Sequence, residues 1–186
     1  MLKCFAVIIA ALAVMNVDLF AQKTVYTYPA ITADCADTTG EVTVFLDTLA
    51  TGVWDDGGMI ALHLGVESAN ISGKTASLTL KVKVDGQTLV TLNGESVMSS
   101  SSRGKSWRGI TLKRVDTTIQ TLASGGLVPM STFTIGQAFV SKNSFPAVLT
   151  GLNFATDKVI KVTAQWSIKH ENIYFKVRDG FIMVVN

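Results

Sequence analysis

Few residues in this chain carry the chemistry that catalysis needs. Two histidines, His63 and His170, are its only side chains that titrate near neutral pH without help. Two cysteines, Cys4 and Cys35, complete a supply too thin for a metal centre. His63 sits inside the apolar run "IALHLGV", where a packed or edge-facing imidazole is expected. His170 stands beside Glu171 at a turn, where solvent is expected. There is no Gly-x-Ser-x-Gly elbow, no phosphate-binding glycine loop and no Cys-x-x-Cys. A triad gathered from distant residues is the one route to hydrolysis left open, with His63 or His170 as its base. No catalytic residue, metal or cofactor is expected.

The stretch with the most functional look is "WDDGG", residues 54–58. Trp54 could stack on a sugar ring or a partner side chain. Asp55 and Asp56 could lend oxygens to a sugar hydroxyl or to Ca²⁺. Adjacent carboxylates supply only part of a calcium shell, however, and no Asp-x-Asp-x-Asp-Gly loop follows. A surface turn ahead of a strand is the competing reading. Trp166 shares the parity of Val162 and Ile168 and reads as core, whereas Trp107 reads as core or interface. Arg103, Lys105, Arg108, Lys113 and Arg114 form a loose basic group without interleaved aromatics, so a solvated face is expected and nucleic acid is not.

The elements that must position these residues are strands. Charged residues are 16 % of the chain and hydrophobic ones 48 %. Charge is thus well below the roughly 25 % of an average soluble domain. After residue 22 no amphipathic helix is legible, and short alternating runs are separated by turn signals. The clearest is "TASLTLKVKVDGQTLVTLN", residues 75–93. Leu78, Leu80, Val82 and Val84 share one face; Thr79, Lys81 and Lys83 share the other. Asp85-Gly86 supplies a tight hairpin turn. In "KVTAQWSIKHENIYFKVRDGFIMVVN", residues 161–186, Val162, Ala164, Trp166 and Ile168 alternate with Lys161, Thr163, Gln165 and Ser167. His170-Glu171-Asn172 then reads as the turn of a second hairpin, with Ile173, Phe175 and Val177 inward and Asp179-Gly180 as a bulge or turn. The last strand is expected inside a sheet. About eight strands without helical crossovers predict an all-β, antiparallel β-sandwich of jelly-roll type.

Residues 1–21 differ from the rest. Lys3 precedes an apolar run from Cys4 to Met15, and "LFAQ" follows. This is the pattern of a secretory signal peptide, or of an apolar N-terminal segment that stays and packs in an assembly. The expected organisation is therefore residues 1–21 as that segment and residues 22–186 as a single domain. Loss of the segment would leave Cys35 as the sole thiol, expected to be buried and inert.

Two segments, "GKSWRGITLKRVDTTIQTL" (104–122) and "ATDKVIKVTAQWSIKHENIYFKVRDGFIMVV" (155–185), resemble in order and spacing a family of tailed-phage virion proteins with a jelly-roll domain. The stretch "GKTASLTLKVKVDGQTLV" (73–90) fits the same pattern. The family includes head fibres, capsid decorations and tail-associated proteins. The resemblance implies no catalytic residues. It implies a virion location and a role in assembly and binding, with copies of the chain itself, as trimers or on a capsid lattice, and other virion proteins as partners. Low charge suits burial between subunits. The alternative is a secreted or cell-surface sandwich that binds carbohydrate or mediates adhesion, with Trp54, Asp55 and Asp56 as its site. A secreted hydrolase is the third reading.

Overall fold

The computed structural model describes residues 24–27, 33–92, 96–97, 104–122, 128–133 and 147–186. Residues 1–21, Arg103 and most of 94–106 and 119–144 lie outside them. The described residues form β1 (Thr24–Thr27), β2 (Cys35–Ala36), β3 (Val42–Leu49), β4 (Met59–Asn70), β5 (Ala76–Val84), β6 (Gln87–Leu92), β7 (Ser96–Val97), β8 (Gly104–Val115), β9 (Thr118–Thr121), β10 (Val128–Phe133), β11 (Val148–Leu149), β12 (Lys158–Trp166) and β13 (Ile173–Val185).

These strands make two antiparallel sheets. The larger runs β1-β13-β4-β8-β9-β11, with β2 also on β13 and β10 also on β8. The smaller runs β3-β12-β5-β6, with β7 also on β5. Set β2, β7, β9, β10 and β11 aside, and number the other eight in chain order. The larger sheet is then first, eighth, third, sixth; the smaller is second, seventh, fourth, fifth. First pairs eighth, second pairs seventh, third pairs sixth and fourth pairs fifth. One long antiparallel ribbon has been rolled into two facing sheets, which is the jelly roll.

Period-2 alternation explains what fills the interior. Along β5, Leu78, Leu80, Val82 and Val84 are buried, and the residues between them are partly exposed. Val162, Ala164 and Trp166 from β12 and Ile173, Phe175, Ile182 and Val184 from β13 join the same core. Each large apolar side chain buried this way contributes about 1.5–3 kcal/mol. Asp85 and Gly86 both have positive φ, as the hairpin turn requires. The Asp85 carboxylate also accepts hydrogen bonds from Lys158 Nζ at 2.7 Å and from the Val159 backbone N–H at 2.9 Å, tying this turn to the start of β12.

Two expectations change. Residues 161–178 are not a hairpin: β12 lies between β3 and β5, while β13 lies in the opposite sheet beside β4. Residues 167–172 carry the chain across the sandwich. Alternation reports which face of a strand is buried, and both strands bury theirs against the same core from opposite sides. Thr163, expected to face water, is also buried; it stands in register between Lys81 and Thr43, beside a bulge in the β3–β12 pairing. Asp179-Gly180 does mark a bulge, within one continuous β13 that is flanked by strands on both sides.

Cys35 is fully buried; its thiol donates to the Ala164 carbonyl at 3.4 Å, and burial pushes its pKa up to about 11. Its own carbonyl accepts from Trp166 Nε1 at 3.2 Å, so β2 stitches the larger sheet to β12 of the smaller. Thr27 and Asp47 join the two sheets in the same way between β1 and β3.

On the outer face of the smaller sheet, Lys81 and Lys83 both grip Glu41. Their hydrogen bonds hold the Glu41 carboxyl down at about 2. The lowered folded value means that this clasp stabilises the fold above the unfolded pKa, near 4.5, and is lost as pH falls towards 2. The group is largely exposed, so the effect should be at most about 1 kcal/mol and weaker in high salt. Denaturant melts at pH 7, 4 and 2.5 should show the wild type losing this increment, and Glu41→Gln lacking that part of the loss.

Candidate functional site

The loop that looked functional in sequence is a structural latch. Trp54 is only 3 % exposed and belongs to the core. Its Nε1 donates to the Gly58 carbonyl at 2.9 Å, and its ring meets Phe154 edge-on at 5.7 Å. Arg114, expected on a solvated face, lies over the Phe154 ring at 4.0 Å and donates to the carbonyls of Trp54 and Asp116. Asp56 accepts the Asp116 backbone N–H at 2.6 Å. Asn186 accepts the Asp55 N–H and donates to the Val53 carbonyl. Trp54 therefore offers no face on which a sugar could stack. The Asp56 carboxylate fixes the turn after β8, and Asp55 is left exposed at the rim. A tryptophan in a loop has no periodicity to reveal its burial, which is why sequence alone left it open.

The exposed tryptophan is Trp107, at 37 %. Its parity on β8 is opposite to that of buried Ile110 and Leu112, so it projects from the outer face of the larger sheet. The ladders place it in one rung with Gly65 on β4 and Asp179 on β13. The far edge of the indole lies 3.4 Å from where a Cβ on Gly65 would sit, and Asp179 Cβ is 3.5 Å from the same point. The missing side chain at Gly65 lets the ring reach across β4. In the next rung, His63 and Phe181 stack at 4.6 Å with an interplanar angle of 18°. Burial lowers the His63 pKa, which favours the neutral imidazole.

On the other side of that rung, the surface turns polar. Glu67 is 8 % exposed, yet its carboxylate is satisfied by Tyr174 Oη at 2.8 Å and Arg178 Nε at 3.2 Å. Lys176 pairs with Asp34 at 2.6 Å and lies over the Tyr174 ring. The β-bulge between Val177 and Asp179 inserts Arg178 as an extra residue and so turns its side chain towards Glu67. The result is an aromatic platform with an ionic border. Sequence reading missed it, although the parity of "SWRGITL" carried the signal: Trp107 is out of phase with Ile110 and Leu112. What sequence could not supply was the register that brings Gly65, Glu67 and Asp179 alongside.

The other histidine serves local structure. His170 Nδ1 accepts the Asn172 backbone N–H at 3.1 Å and so shapes the crossing between sheets.

No protein-family model matches this sequence, and no curated protein matches it. Three of the solved structures that bear a loose likeness to the chain show how loose it is. One is the T13 viral particle of IBDV, at 8 % identity and a TM-score of 0.40. Another is the CBM2 module of the evolved Dit of Lactobacillus casei BL23 phage J-1, at 8 % and 0.38. The third is the C-terminal domain of EclA, a sugar-binding protein, at 12 % and 0.30. They cover 88, 87 and 91 % of this chain, and 30, 76 and 83 % of their own. This chain thus spans 30 % of the length of the IBDV particle protein. Likeness this loose transfers no ligand and no partner.

Just past the bulge, the core side of β13 is tightly packed. A Cβ on Gly180 would lie 2.9 Å from Phe45 Cε2 and 3.1 Å from both the His63 carbonyl oxygen and Leu64 Cδ2. Gly180→Ala should therefore destabilise the fold by about 1–3 kcal/mol through overpacking. Chemical denaturation at neutral pH measures this, and an unchanged midpoint would show that the core beside the bulge has slack.

Proposed function

We propose that this chain is a non-enzymatic virion accessory protein: a capsid decoration, head fibre or tail-associated jelly roll. It assembles with other virion proteins and binds an external surface through the outer face of its larger sheet. The observation that carries the binding role is Trp107, a large ring held exposed on a rigid strand and bordered by fixed charges. Exposed aromatics on a rigid frame are typical anchors of recognition. The virion location rests on the family resemblance of residues 104–122 and 155–185, which fall on β8 and β9 and on β12 and β13, four of the strands that build the sandwich. Both histidines take part in local packing or turns, which favours binding over hydrolysis.

The signal-like pattern of residues 1–21 favours the secreted alternative, so the test follows those residues. Density-purified particles and cell-free supernatant from one culture are digested, and the protein's own N-terminal peptide is identified by mass spectrometry. The expected result is recovery with the particles, with residues 1–21 attached. Recovery only as soluble protein beginning at Gln22 would overturn the virion reading in favour of a secreted binding module.

A further inference from the structure

We infer that the Trp107 platform is a carbohydrate site, and that it takes a neutral saccharide. This rests on the binding role proposed above and names its ligand class. Three features of the platform favour sugar over a protein partner.

The first is shape. The indole spans β4 because Gly65 has no side chain, so the exposed surface is a flat ring supported by backbone. The C–H face of a pyranose is the natural complement of such a ring, since it is apolar and carries weakly positive hydrogens towards the electron-rich face. The second is a polar border. On one side of the Trp107 rung, the next rung holds Glu67 and Lys176. Fixed charge therefore borders the ring on that side within one strand step, while the stacked His63 and Phe181 continue the platform on the other, and a ring edged by polar groups suits a ligand that is apolar on one face and hydroxylated at its rim.

The third is unused hydrogen-bonding capacity. Arg178 spends Nε on Glu67, and among the described residues its two Nη groups have no protein acceptor. Its side chain is 55 % exposed. Asp179 uses Oδ1 to accept the Gly180 N–H at 2.8 Å, and among the described residues its Oδ2 has no partner. A guanidinium donor and a carboxylate acceptor, adjacent in sequence and fixed by one bulge, match the vicinal hydroxyls of a sugar, each of which both donates and accepts. Glu67, locked by Tyr174 and Arg178, is a positioning residue for that guanidinium. Opposite charges side by side select no net ligand charge, which points to a neutral saccharide.

The test uses the full chain on a glycan microarray of neutral and acidic bacterial and plant oligosaccharides. Affinity electrophoresis in gels containing dextran, galactomannan or β-glucan accompanies it. Trp54 and Trp166 are buried, so a stacked sugar should change the emission of Trp107 alone. The expected result is binding to a subset of neutral glycans with a shift in tryptophan emission. Trp107→Ala should abolish the emission shift and weaken binding roughly tenfold or more, with partial rescue in Trp107→Phe. Arg178→Ala and Asp179→Asn should weaken binding while leaving the emission shift at saturation. Each variant is checked by thermal melting, so that loss of fold is not read as loss of binding. Absence of binding to every glycan by the folded wild type would overturn the carbohydrate assignment. So would binding that Trp107→Ala leaves intact. Neither result bears on the virion reading, which the particle fractionation tests separately.

Discussion

The ladder between β13 and β4 runs from Ile173 opposite Asn70 to Val185 opposite Met59, and the rest of the molecule is arranged around it. Its inward side chains, among them Phe175, Ile182, Ile60, Leu62 and Leu64, are fully buried. They meet Val82, Val84, Ile160 and Val162 across the sandwich in one continuous core. At about 1.5–3 kcal/mol for each buried large apolar side chain, this facing of two apolar surfaces far outweighs any surface ion pair. Strict alternation then leaves the other side of the same strands free to vary. The constraint that builds the core thus also determines which residues share the outer face.

That outer face is where the fold can afford irregularity. One bulge in β13 shifts the register by a residue and introduces Arg178. Gly180, just past the bulge and back in register with Leu64, faces the core, where Phe45 and Leu64 leave no room for a Cβ. Gly65, one strand away, leaves room for the Trp107 ring on the outside. Two glycines, one on each face, thus allow close packing beside the bulge. The charges around it are tied together: Glu67 to Tyr174 and Arg178, Lys176 to Asp34. A nearly buried carboxylate with two partners costs little and holds the guanidinium in place.

Much of this was legible in sequence where alternation was clean and a turn was marked. The strand from Ala76 to Val84, the Asp85-Gly86 turn and the inward set of β12 all follow from residue type and period. The all-β jelly-roll class follows from such runs, but the count of about eight does not: the described residues form thirteen strands, of which eight pair as the roll. What was not legible was pairing. A strand's period does not name its neighbour, so β12 and β13 read as a hairpin although they lie in opposite sheets. Trp54 and Asp56 drew attention by composition, yet they close a loop against Phe154, Arg114 and Asp116. The platform around Trp107 escaped because its members come from β4, β8 and β13, and only register assembles them.

The central claim is that a rigid jelly roll carries its recognition surface on the outside of the larger sheet, around Trp107. A cryo-electron microscopy reconstruction of the intact particle tests this most directly, because it shows both where the chain sits and which face it turns to solvent. The expected map places the sandwich on the particle with Trp107, Asp179 and Arg178 facing outward, and with contacts to neighbouring subunits made elsewhere. A map in which the chain is absent, or in which that face is buried against a neighbouring subunit, would contradict the claim.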